Sequence, residues 1–225
     1  MYKHRKEAIP HNLTPAEALQ FLKEGNFRFL NNLKINRDFL EQVNELKDGQ
    51  WPFAAILSCM DSRTSAELIF DQGLGDIFSI RIAGNIISPG ILGSLEYATA
   101  VAGSKVILVL GHTNCGAIKG ACDDVRFGHL TGLLEHIKPA VEQEKSIKEN
   151  RNSMNTEFVD SVARINVHNS AREILEKSDV IRELVLKGEV GLVPAMYNVS
   201  TGMVEFFEND SVLTKEERAA AESHT

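Results

Sequence analysis

Apolar residues at Ala18, Leu19, Leu22, Phe29, Leu30 and Leu33 recur at the spacing of one helix face. Ahead of them, Thr14-Pro15 and then Glu17 place a proline where a first helical residue has no amide bond to lose. The pattern predicts an amphipathic helix over residues 14–33, preceded by residues 1–13 as an arm with no core of its own. Three apolar, strand-like runs follow at residues 53–58, 77–82 and 106–110, and helix-like segments at 64–70 and 92–102 separate them. Strand, helix, strand, helix, strand is the order of βαβ units, whose parallel strands are apolar on both faces. A further helix should begin near Cys115, and the charged, Asn-rich residues 145–158 read as an exposed connection. Residues 162–177 and 178–186 predict two helices ending at Lys187-Gly188. Residues 190–197 and 203–207 predict a last strand pair around Ser200-Thr201-Gly202. The polar, Ala-rich residues 214–225 read as a flexible tail or frayed helix. Without a repeat, linker or break in composition, residues 1–225 form one domain. The expected fold is α/β, with a mainly parallel central sheet of four to five strands flanked by helices and an N-terminal helical arm.

Composition narrows the function classes. The chain has 225 residues, 43% hydrophobic and 24% charged, as in ordinary globular proteins. A formal charge of −7 and no long basic run leave no electrostatic footprint for nucleic acid. No apolar run approaches the ~18 residues of a membrane span. The start, Met1 to Ala8, has basic residues without an apolar stretch behind them, unlike a secretory signal. Three cysteines are too few for a disulfide framework. The expected setting is the cytoplasm, where Cys and His clusters point to metal or redox chemistry.

Two such clusters stand just past predicted strand ends. Cys59-Met60-Asp61-Ser62-Arg63 follows the first strand, and Gly111-His112-Thr113-Asn114-Cys115-Gly116 follows the third. Ligands of open α/β sheets bind beyond the carboxyl ends of strands, near a switch in strand order. If the two strands are neighbours, Cys59, His112 and Cys115 converge. Two thiolates and an imidazole suit Zn2+, and three protein ligands leave a fourth position open for chemistry. A lone cysteine is more often a small buried hydrophobe, and Cys122, without such company, reads that way. The histidines at 4, 11, 129, 136, 168 and 224 have no partner pattern. Asp61 could be a helix cap, but Thr64 and Glu67 have the spacing of a capping box that does this without it. Asp61 is then free beside Cys59, with Arg63 placed to hold it ionised. Other motifs fail. Gly73-Leu74-Gly75 meets Phe78 where a dinucleotide fingerprint needs its third glycine. Gly111 to Gly116 has P-loop spacing, but Ala117 and Ile118 replace the phosphate-binding Lys and Ser/Thr. The signatures of zinc deaminases are missing too.

C-x-D-x-R followed by G-H-x-x-C-G resembles the β-class carbonic anhydrases. The likeness extends to Ala16, Leu22, Gly25, Asn26 and Phe29, to Ile80-Arg81-Ile82-Ala83-Gly84-Asn85, and to Tyr197-Asn198, Thr201-Gly202 and Val204. It implies reversible hydration of CO2 to bicarbonate and a proton by a zinc-bound hydroxide, on one Zn2+ held by Cys59, His112 and Cys115. Asp61 and Arg63 match the family's catalytic dyad. Gln50 matches a glutamine that some members aim at substrate from the partner subunit. Gly116 matches a glycine whose amide contacts bound ligand, and Phe78, Ala83 and Tyr97 match the lining of a small apolar CO2 pocket. Met60 stands where many members have Ser. The resemblance also implies a homodimer, often paired into a tetramer, with the N-terminal helix across its neighbour. One branch of the family closes its site with the aspartate, using a pocket that needs a Trp where this chain has Ile56. The expectation here is an open fourth position with Asp61 held by Arg63. A zinc hydrolase of carbonyl sulfide or carbon disulfide would share the metal ligands. A non-catalytic zinc or bicarbonate-sensing module would need neither Asp61 nor Arg63.

Overall fold

The computed structural model describes residues 13–211. Helix α1 (Pro15–Leu30) opens as the sequence predicts: Thr14 caps it, and Glu17 closes the capping box onto the Thr14 amide. It ends three residues earlier than the periodicity suggests, where Asn32 takes a left-handed φ of 53°. Helix α2 (Phe39–Leu46), capped by Asp38, leads to β1 (Ala54–Ser58). Then come α3 (Ala66–Ile69), β2 (Ile77–Arg81) and α4 (Pro89–Glu96), the last running on into a π turn at Tyr97–Val101. Strand β3 (Val106–His112) precedes α5 (Gly116–Cys122), α6 (Gly128–Glu135) and α7 (Lys138–Gln143). The chain continues through α8 (Thr156–Lys177) and α9 (Asp179–Leu186) to β4 (Gly191–Tyr197) and β5 (Val204–Phe206).

The five strands run in the order β2-β1-β3-β4-β5. All pairs are parallel except β4 with β5. Strand β1 therefore has β2 on one side and β3 on the other, so the strand order reverses at β1 and opens a crevice at its carboxyl end. Alternate residues of the central strands face opposite layers. Ile56, Leu108 and Val193 pack under Ala18, Leu19 and Leu22 of α1 and Phe70 after α3. Leu57, Ile107 and Val109 pack under Leu95 of α4, Ile118 of α5, and Val162 and Val167 of α8. Helix α1 can lie close because Gly25 has no side chain: a Cβ there would stand 1.7 Å from the carbonyl oxygen of Phe70. Asn26 is buried next to it and ties α1 to both ends of the fold. Its amide donates to the carbonyls of Ile69 and Gly202, and its oxygen accepts from the Val204 amide.

Four sequence expectations change. Thr64 and Glu67 form no capping box: α3 starts after Ser65, which makes no side-chain cap bond. Thr64 is buried, and its hydroxyl donates to the carbonyls of Cys59 and Asp61, while Glu67 accepts from Ser79. Helix α4 begins at Pro89 under a Ser88 cap, and α8 begins at Thr156 under an Asn155 cap, both earlier than predicted. Helices α2, α6 and α7 are additional. Leu13, assigned to the arm, is 5% exposed and belongs to the α1-side core. Residues 1–12 and the tail at 214–225 lie outside the described residues.

Candidate metal centre

Register brings the two motifs together. Ser58 of β1 pairs with Leu110 of β3, so Cys59 and His112 emerge at the same end of adjacent strands. Gly111 lets β3 reach that point, because a Cβ there would lie 2.3 Å from Cγ2 of Val167 and 2.7 Å from Sδ of Met196. A short turn through Asn114, with φ of 58°, then delivers Cys115 to the N-cap of α5.

The two Sγ atoms and a ring nitrogen of His112 lie within 4.8 Å of one another, all buried. The sulfurs are 3.9 Å apart. The Cys115 thiol's hydrogen bond pulls the Cys59 thiol down to about 4, against the cost of burial. That shared hydrogen, together with burial, pushes Cys115 up. The contact between the two thiols thus shifts them in opposite directions. The Gly84 amide donates to the Cys59 sulfur at 3.4 Å, from a turn at Ala83–Asn85 where Gly84 has φ of 68°. The His112 Nδ1 lies 2.9 Å from the Thr113 carbonyl oxygen, whereas its buried Nε2 has no hydrogen-bond partner. A buried ring nitrogen without a partner, beside two thiols, fits a soft tetrahedral cation such as Zn2+.

Asp61 stands beside this group and is gripped by Arg63. The Arg63 backbone amide and Nε donate to Oδ1, both at 2.9 Å, and Nη2 donates to Oδ2 at 2.7 Å. These bonds hold the carboxyl well below the usual carboxylate range. Arg81 stands at the end of β2 and braces the same loop. Its Nε donates to the Cys59 carbonyl at 3.1 Å and its Nη2 to the Asp61 carbonyl at 2.5 Å. Its one sequence signal is its place in the Ile80–Asn85 stretch.

The remaining predicted residues divide. Ala83 is half-buried beside Gly84, close to the thiols. Gly116 is exposed at the first turn of α5, and a Cβ there would meet nothing within 4 Å. Phe78 and Tyr97 meet edge to face, 6.2 Å between centroids, and line a groove of about 370 Å³ with Gly90, Gly93 and Ser94. Phe78 pairs with Ala55, well before the carboxyl end of its strand, so within one chain the groove is set back from the thiols. Gln50 is exposed at the opposite end of β1 from Cys59. Across a five-residue strand that is ~17 Å, too far for contact within the chain. Cys122 packs at the end of α5 against the α8-side core, where burial pushes its thiol up to about 11. Ile56 is fully buried in the α1-side core.

Comparison with known proteins places this arrangement. A family model described as carbonic anhydrase matches residues 54–204, from β1 to β5. Carbonic anhydrase 2 of Mycobacterium tuberculosis is 35% identical over 197 residues, covering 85% of this chain and 92% of that one. The carbonic anhydrase of Mycolicibacterium smegmatis is 32% identical over 200 residues, covering 86% and 94%. Among solved structures, one of two tetrameric β-carbonic anhydrases from Sordaria macrospora superimposes with a TM-score of 0.65 at 27% identity, covering 73% of this chain and 84% of that one. With its parallel sheet, its Cys-His-Cys group at the switch in strand order and these relatives, the chain belongs to the β-carbonic anhydrase family.

Proposed function

We propose that the protein catalyses reversible hydration of CO2 to bicarbonate and a proton at a Zn2+ held by Cys59, His112 and Cys115. The observation that carries this reading is the partnerless Nε2 of His112 beside two thiols, with the Asp61–Arg63 pair next to them. Zinc bound there supplies a Lewis acid that brings the pKa of a water down towards neutrality. Asp61, kept ionised by Arg63, would accept a hydrogen bond from that water and so turn a lone pair towards the CO2 carbon. Because both carboxylate oxygens are committed to Arg63, Asp61 would stay off the metal and leave room there for water, hydroxide or a small anion. The exposed Gly116 amide, at the start of α5, donates to product oxygen. Ala83 lines the apolar side that receives CO2, while Phe78 and Tyr97, set back within the chain, and Gln50 reach substrate from a partner subunit. The free thiols fit a reducing compartment, and we place the protein in the cytoplasm. Among the described residues no helix is long and apolar enough to cross a membrane.

Stopped-flow assays with and without a zinc chelator test the activity. CO2 hydration should disappear on chelation and return with Zn2+. Turnover of carbonyl sulfide with none of CO2 would overturn the substrate.

The subunit arrangement follows from α1 and α2. Ala18, Leu19 and Leu22 spend their apolar face on the chain's own sheet, but Phe27, Leu33, Phe39, Leu40 and Val43 are exposed. This apolar stretch seats a second copy, giving a dimer that carries Gln50 towards its neighbour's site, or a tetramer of two such pairs. Sedimentation at assay concentration should show no active monomer.

A further inference from the structure

We infer that Asp160 is a positioning residue for the metal centre: its carboxylate fixes the turn that sets His112 and Cys115 at ligand spacing. The inference rests on the zinc reading above. Between these two ligands lie only Thr113 and Asn114, and each backbone amide is anchored. The Thr113 amide donates to the Tyr197 carbonyl at 3.0 Å, a bond within the sheet layer. The Asn114 amide donates to Oδ1 of Asp160 at 2.9 Å, a bond from a helix far along the chain. Asn114 has a left-handed φ of 58°, which Asn tolerates, and the bond to Asp160 selects it at this turn. Because the next residue is Cys115, a change at Asn114 swings Sγ directly.

The platform behind Asp160 is rigid. Its neighbours on α8, Phe158, Val159, Val162 and Ala163, are buried in the core. Asp160 itself is half-buried and, among the described residues, makes no ion pair. Losing the carboxylate therefore leaves no buried charge behind, and its effect falls on the turn rather than on the fold. Groups that orient metal ligands without touching the metal are commonly worth 10- to 100-fold in affinity, which sets the scale.

The test uses the zinc-loaded full chain, with Asp160→Ala, Asp160→Asn and, as a surface control, Asp179→Ala. Zinc release to a chromophoric chelator is timed, and the visible bands of the Co2+-substituted protein are recorded. Asp160→Ala should release zinc about tenfold faster and shift the Co2+ bands, while its thermal melt stays near the parent's. Asp160→Asn, which keeps an oxygen acceptor, should restore release to within about twofold of the parent, as should Asp179→Ala. Parent-like release and bands in Asp160→Ala overturn the inference. So does equal loss in Ala and Asn variants, or unfolding of Asp160→Ala, which would assign the residue to the fold. A parent chain that takes up no zinc overturns the reading of the site and this inference with it. A zinc-holding parent with an unaffected Ala variant overturns this inference alone.

Discussion

Alanine at Cys59, His112 or Cys115 should take bound zinc from one ion per chain to almost none and hydration to the uncatalysed rate. With three protein ligands, losing one leaves two, and the fourth position cannot compensate because substrate needs it. The three sites are equivalent in this respect: all are buried, and no other His, Cys, Asp or Glu of the described residues joins the group. Cys122→Ala is the matched control, since its thiol is neutral and packs away from the cluster. It should retain metal and rate. Metal analysis and stopped-flow hydration on the same preparations decide the matter. Retention of zinc in Cys59→Ala with its loss in Cys122→Ala would reverse the ligand assignment. Far-UV circular dichroism should stay unchanged in all four, because the two cores close without help from the metal.

Asp71→Asn should be the most damaging change to stability away from the site, by about 3 kcal/mol in urea unfolding. Asp71 follows α3, with a side chain only 3% exposed. Arg28 of α1 donates to Oδ2 at 2.5 Å, and Arg37, between α1 and α2, donates to Oδ1 at 2.6 Å. Burial works against the charge, but these bonds and the Ile35 amide outweigh it and hold the carboxyl below its ordinary value. Asn tolerates the left-handed φ of 45° at this position, so the substitution tests the charge and not the backbone. It leaves two guanidinium groups facing a neutral amide. A depressed folded pKa stabilises fully above the unfolded value, ~3.9, and the contribution fades as pH falls through the folded value. The gap between parent and variant should therefore be constant from neutral pH to about pH 5 and narrow below that. A gap that widened on acidification would refute the assignment.

The parts of this molecule that show in the sequence are those written in short range. Strands β1 and β3 are legible because every residue of both is buried, which forces an unbroken apolar run. The meeting of Cys59 with His112 and Cys115 follows from that, since adjacent parallel strands share an end. Helix α2 is not legible. Phe39, Leu40 and Val43 point outward while Gln42 is buried, so its periodicity runs against its burial within the chain. The Thr64–Glu67 spacing misleads for a related reason: Thr64 has better partners in the Cys59 and Asp61 carbonyls than in a helix terminus. Arg81 and Gly84 show only as part of the Ile80–Asn85 stretch, their bonds to Cys59 arising from register, and no local pattern announces the bond from the Asn114 amide to Asp160. What sequence conveys of the site is its chemistry, and what it withholds is the scaffolding.

The contact between the His112 ring and Thr113 carries a consequence for how the centre loads. A carbonyl oxygen can only accept, so Nδ1 bears the hydrogen and the lone pair sits on Nε2. The imidazole is thus locked in a single tautomer, with its basic nitrogen turned towards the sulfurs before any ion arrives. An entering cation need not wait for a ring flip or a proton hop on the histidine. The two sulfurs beside it, 3.9 Å apart, share a hydrogen bond that a bound cation would replace. The cradle is thus set by the chain's own hydrogen bonds, from Gly84 to Cys59 and from the His112 ring to Thr113.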